Sequence, residues 1–131
     1  MESSGRSLVP AETFEMLVSL IITEEGLPRP LAERIVTQTL AFLAASAGDR
    51  HPPLLASRMV DIGWRTFVLQ TRPYAEFCDR VAGRFIHYPG EPEFNLRRLL
   101  QAMDAIRAAG YAVDNDMWFL VVESTMRGTG S

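Results

Sequence analysis

VDIGWRTFVLQTRPYAEFCDRVAGRFIHYP, residues 60–89, decides how the chain reads. It holds the densest run of large apolar side chains together with one tryptophan, the only cysteine and one of the two histidines. Ile62, Trp64, Phe67, Val68 and Leu69, with Met59 just before them, would give a helix an apolar surface over much of its circumference. Thr71-Arg72-Pro73 then punctuates, because the residue before a proline disfavours helical dihedrals and Thr71 can cap a new helix. In that new helix Tyr74, Phe77, Cys78, Val81 and Phe85 recur at i, i+3, i+4, i+7 and i+11, a regular core stripe. Two consecutive core helices are expected, with the rest of the chain packed around them.

Upstream, Phe14, Leu17, Val18, Ile21 and Ile22 follow Pro10 at helical spacing and Gly26 supplies a stop. Pro28 and Pro30 open a second helix whose face carries Leu31, Ile35, Thr39 and Phe42, flanked by Val36, Leu40 and Leu43. Residues 48–53, GDRHPP, are the clearest connector, and helix is expected to resume from Leu54. Downstream, a turn at residues 89–92 precedes Phe94, Leu96, Leu99, Leu100, Met103 and Ile106, an amphipathic helix capped by Asn95 or Glu93 and ending at Gly110. Asp114 can cap a last short helix with Met117, Trp118, Phe119 and Leu120, where Trp118 closes the core. The pattern predicts an all-α, single-domain bundle of about five to six helices over residues 11–123, the third and fourth at its centre. Residues 1–10 and 124–131 read as flexible tails.

A chain of 131 residues that is 47% hydrophobic can bury a core without disulfide or metal. One cysteine forms no internal bridge and no secretory leader opens the chain, so a reducing, cytoplasmic setting is expected. The longest apolar runs, such as FLVV at residues 119–122, are far too short to span a bilayer. The net charge is -3 and all 13 basic residues are arginine, scattered among acids rather than gathered, which argues against nucleic acid. Arginine without lysine, beside abundant alanine, points to a high-GC bacterial genome. No phosphate loop, GxGxxG, HExxH, GxSxG or CxxC is present.

Any chemistry rests on single residues. Asp61 and Arg65 are four apart, so they share a helical face beside Trp64, as a surface ion pair or as a clamp for an anion or carbonyl. Cys78 on an apolar stripe behaves as a small hydrophobe unless a base reaches it. His87 stands nine residues later, on the opposite side of a straight helix; Gly83 and Pro89-Gly90 allow a break that could bring the two together. His51, in the connector, reads as an exposed loop histidine, and Arg97-Arg98 as a solvated face.

Asp61, Trp64, Phe67, Thr71, Tyr74, Phe77, Cys78, Gly83, Phe85 and His87 together resemble the motif of the glycine-rich domain-containing protein-like family in its small bacterial members. Arg65, Gln70 and Tyr88 depart from it, standing where that motif has histidines. The resemblance implies a His/Cys ligand set of the kind zinc takes, of which this chain keeps only Cys78 and His87, a vestigial pair. No cofactor and no stoichiometric metal are expected.

Two functions are weighed. The first is a non-catalytic binding or accessory helical protein of a high-GC bacterium, whose partner is an unknown protein or small molecule, a homodimer included, and which binds neither nucleic acid nor membrane. The alternative is a small enzyme of specialised metabolism. Its ligand contacts would come from Asp61, Trp64, Arg65 and Gln70, and its proton transfer or nucleophilic attack from His87, Tyr74 or Cys78. The enzyme reading needs these residues to converge on one partly wet pocket; the binding reading needs an exposed apolar patch elsewhere.

Overall fold

The structure, a computed structural model, describes residues 2–48 and 52–119. Among these, six α-helices follow a short 3-10 helix: α1 (Ala11–Glu25), α2 (Arg29–Ala45), α3 (Arg58–Val68), α4 (Thr71–Ala82), α5 (Leu96–Ala108) and α6 (Asp116–Phe119). The chain is an all-α single domain. No described helix is long and apolar enough to cross a membrane.

Helix α2 is the axis, and it displaces the α3–α4 centre expected from the sequence. Ten of its residues are buried, and α1, α3, α5, α6 and the 3-10 helix all pack on it. Apolar residues occupy most of its circumference, leaving only the side with Arg29, Glu33 and Arg34 to water. Helix α4 packs mainly on α3, through Tyr74, Phe77 and Cys78. It lies at the flank because only that one stripe is apolar.

Helix α3 approaches α2 closely because Gly63 has no side chain at the crossing. The space a Cβ would fill there is held by Thr39, whose hydroxyl lies 2.7 Å from Ile35 O and 3.2 Å from Val60 O. Several boundaries differ from expectation. Helix α3 begins at Arg58, not near Leu54, because Ser57 caps it by accepting from Val60 N. Gln70, not Thr71, occupies the cap position of α4, and the helix stops at left-handed Gly83, which leaves Phe85 beyond it and 44% exposed. Phe94 precedes α5 and is 78% exposed; Asn95 caps that helix by accepting from Arg98 N. Asp114 does not cap α6 by its carboxylate, which Arg34 holds by two hydrogen bonds of 2.8 and 2.7 Å.

Two irregular segments are fastened to the helices. The 3-10 helix Gly5–Leu8 sits on α2 through Gly5, and Ser3 exchanges backbone hydrogen bonds with Gly110 and Ala112. Composition alone reads this stretch as a loose tail. Near the C-terminal end, buried Gln38 accepts from Asp114 N and Trp118 Nε1 and donates to Ala112 O, tying α2 to α6. Leu120, residues 121–123, the tail at 124–131 and His51 lie outside the described residues.

Candidate functional site

A buried polar cluster is built on α3. Asp61 is 3% exposed, one turn into the helix, with both carboxylate oxygens engaged. Arg65 Nε donates to Oδ2 at 2.9 Å, and the Tyr88 hydroxyl donates to Oδ1 at 2.6 Å. Burial raises the Asp61 carboxyl above the ordinary aspartate value; the bonds from Tyr88 and Arg65 act against it, and the charge of Glu91 adds to it. Burial, with the neighbouring Asp61 charge, likewise pushes the Tyr88 phenol up. The Arg65 side chain is 44% exposed.

A second chain of bonds runs beside the first. Trp64 Nε1 donates to the Tyr74 hydroxyl at 2.9 Å, and that hydroxyl donates to Ile86 O. Tyr74 is fully buried, and burial raises its phenol. The Trp64 ring meets Tyr88 edge-on at 5.2 Å and Phe42 at 5.4 Å. Tyr74 and Trp64 thus grip residues 84–95, a strap without regular structure that recrosses α3 after α4 ends.

The remaining candidates do not join this cluster. Cys78 is 1% exposed on the inner stripe of α4, one turn from Tyr74. His87 lies on the exposed side of the strap with its ring 4.9 Å from that of Phe85. Gln70, half-buried, stands at the start of α4. Among the described residues no three His, Cys, Asp or Glu side chains gather where a metal could be held. Asp61, Trp64, Arg65 and Tyr74 are brought together, with Cys78 beside Tyr74; Gln70 and His87 are not. Sequence reasoning assigned Tyr88 no role, and at a separation of 27 positions from Asp61 no local spacing could have found the pair.

Two hollows flank the strap. One, of about 360 Å³, lies between Pro52, Leu55 and the strap, with Trp64 at its base and Glu91 and Arg98 at its edge. The other, of about 310 Å³, is lined by Leu99, Trp118, Phe119, Phe94 and the Ser57-Arg58 start of α3. Ala56, Pro92 and Glu93 belong to both, so the strap is the wall between them. Phe94 and Phe119 line the second hollow and are exposed, and Leu96 and Leu100 of α5 are exposed as well, four of the six large apolar side chains that the described surface exposes.

A family model described as UCP032817-like matches residues 16–115, from mid-α1 to the approach to α6. That span holds both hollows' shared wall and the whole Asp61 cluster. No curated protein and no solved structure matches the chain.

Proposed function

The chain belongs to the UCP032817-like family, for which no function is established, and on that footing we propose that it is a non-catalytic binding module. Its occupant is an apolar segment of a partner protein. The observation that carries this reading is the exposed apolar face at the start of α5 and the end of α6, where Phe94 stands 78% exposed beside a hollow of about 310 Å³.

A protein partner fits this face better than a small substrate does. Small-molecule sites place a few polar groups inward to orient the ligand. Here Ser57 is the only uncharged polar side chain of the hollow, and its hydroxyl is already bound to Met117 O at 2.6 Å. Phe94 and Phe119 extend the apolar surface beyond the hollow, while Arg58 and Glu93 supply a mixed-charge rim, the anatomy of a protein interface. The reading extends to a cytoplasmic setting in a high-GC bacterium, on the single cysteine and exclusive arginine use, and to kinship with the glycine-rich domain-containing protein-like family, on the residues from Asp61 to His87.

A photo-crosslinker placed at position 94 of the full chain, compared with one at Glu24 on the far face of α1, tests it in cells. One discrete heteroadduct from position 94, absent from position 24 and lost on Phe119→Ser, is expected. Equal adducts from both positions, or an adduct of twice the chain mass alone, would rule out a partner protein on this face.

A further inference from the structure

Helix α6 is a single turn of four residues, too short to hold its shape in water unaided. It nevertheless carries Trp118 and Phe119, two of the side chains that line the apolar hollow of about 310 Å³. Its middle is pinned. Met117 and Trp118 are buried, Met117 O accepts from the Ser57 hydroxyl, Trp118 Nε1 donates to Gln38, and the Trp118 ring stands 5.8 Å from that of Phe42.

Its start is held by charge. Arg34 of α2 donates from Nε and Nη2 to the Asp114 carboxylate at 2.8 and 2.7 Å, and Nη2 also reaches Asp116 Oδ2 at 2.9 Å. One guanidinium thus neutralises two carboxylates that stand two positions apart and would otherwise repel each other. Arg34 and Asp116 are exposed and Asp114 partly so. With Gln38, Asp114 and Asn115, Arg34 lines a polar hollow of about 790 Å³ that shares no lining residue with the apolar one.

Resting on the binding reading above, we propose that Arg34 is the positioning residue of the docking face. Its bonds to Asp114 and Asp116 set the tilt of α6 about the Met117 and Trp118 pins. Phe119 follows those pins as Asp116 precedes them, so the same tilt sets where Phe119 stands at the rim of the apolar hollow. Because the Arg34 bonds lie open to solvent, salt screens them, and the partner's affinity is tuned from the polar hollow rather than at the face itself.

An exposed ion pair adds little to global stability, so positioning can be told apart from a merely structural role. A 4-fluorophenylalanine at position 119 of the full chain reports the rim by 19F resonance, and one at position 67, in the α3 core, serves as control. In Arg34→Gln the resonance at 119 should move while that at 67 stays. Tm should fall by no more than about 5 °C, and the adduct from the crosslinker at position 94 should drop about threefold or more. Asp114→Asn combined with Asp116→Asn should reproduce these changes, and Arg34→Gln added to that pair should contribute nothing further. Raising salt from about 0.05 M to about 1 M should move the 119 resonance of the parent and leave that of Arg34→Gln in place. An unmoved resonance at 119, equal movement at 119 and 67, a larger fall in Tm, or strict additivity with the two asparagines would overturn the role of Arg34, as would an undiminished adduct. The two ideas fail separately. A resonance that moves in Arg34→Gln, with no adduct from the parent, rejects the docking reading alone; a parental adduct with an unmoved resonance rejects the Arg34 role alone.

Discussion

Replacing Gly63 by alanine tests the crossing that positions the whole cluster. A Cβ at this position would stand 2.1 Å from Thr39 Oγ1, 2.9 Å from Thr39 Cβ and 3.1 Å from Ile35 Cγ2. Thr39 has little room to withdraw, being 1% exposed with its hydroxyl against two carbonyls. On an exposed helix the change from glycine to alanine would add about 1 kcal/mol of stability. Here overpacking costs about 1–3 kcal/mol, and disturbing the Thr39 hydroxyl costs about 1 kcal/mol more. The net is a loss of about 1–3 kcal/mol, which for a domain of 131 residues lowers Tm by roughly 4–10 °C. Thermal melts followed by circular dichroism would read it. Thr39→Ala removes the nearest clashing atom, so the double variant should be less damaged than the two single losses added together, by more than about 0.5 kcal/mol. A Tm equal to or above the parent's for Gly63→Ala, or strict additivity in the double variant, would refute the close approach of α2 and α3.

Gly5→Ala puts a methyl 2.3 Å from Thr37 O and 2.8 Å from Ala41 N, so the 3-10 helix should lift off α2. The Ser3 and Ala112 amides should then exchange freely while Tm falls less than for Gly63→Ala; protected amides at both positions would contradict this. Gln38→Met keeps the volume but strands Asp114 N, Trp118 Nε1 and Ala112 O, and denaturant titration should show a loss of about 3 kcal/mol. A loss under about 1 kcal/mol would mean that water replaces Gln38 at little cost. For Asp61 the sign follows from burial. A carboxyl whose folded pKa lies above its unfolded one supports the fold at low pH, and that support is lost as pH rises through the folded value. Asp61→Asn does not titrate, so its stability relative to the parent should climb as pH rises above the ordinary aspartate value of about 4, and a flat or falling difference would sink the assignment.

What the sequence revealed was what local periodicity can carry. Phe14, Leu17, Val18 and Ile21 in α1, and Leu99, Met103 and Ile106 in α5, are core residues at the spacing that announced them. Asn95 caps as its residue type suggests, and the Asp61–Arg65 pair follows from a separation of one turn. The features that escaped notice join distant stretches of chain. Gly63 looks like a weak helical residue until Thr39, 24 positions earlier, is seen against it. Gln38 reads as an ordinary polar position on α2, and its three partners lie more than 70 residues away. The α4 stripe reads on to Phe85 because the periodicity continues two residues past the glycine that stops the helix.

The disposition of polar atoms weighs between binding and catalysis. A catalytic site holds groups poised for a substrate, and in an empty site some of them face solvent or lack protein partners. Among the described residues every buried side-chain nitrogen and oxygen has a partner. Asp61 is the carboxyl that burial perturbs, the strongest acid-base candidate, yet Tyr88 covers one of its oxygens and Arg65 takes the other. Tyr74 and Trp64 are bound to each other and to the strap. Catalysis at Asp61 would first require the Tyr88 bond to break, whereas docking on the exposed face at Phe94 and Phe119 requires no such step. The two readings part on a single observable. An enzyme needs Asp61 itself, whereas the docking face needs Phe94 and Phe119 and tolerates asparagine at position 61. Partner crosslinking that survives Asp61→Asn and fails with Phe119→Ser would place the function on the apolar face.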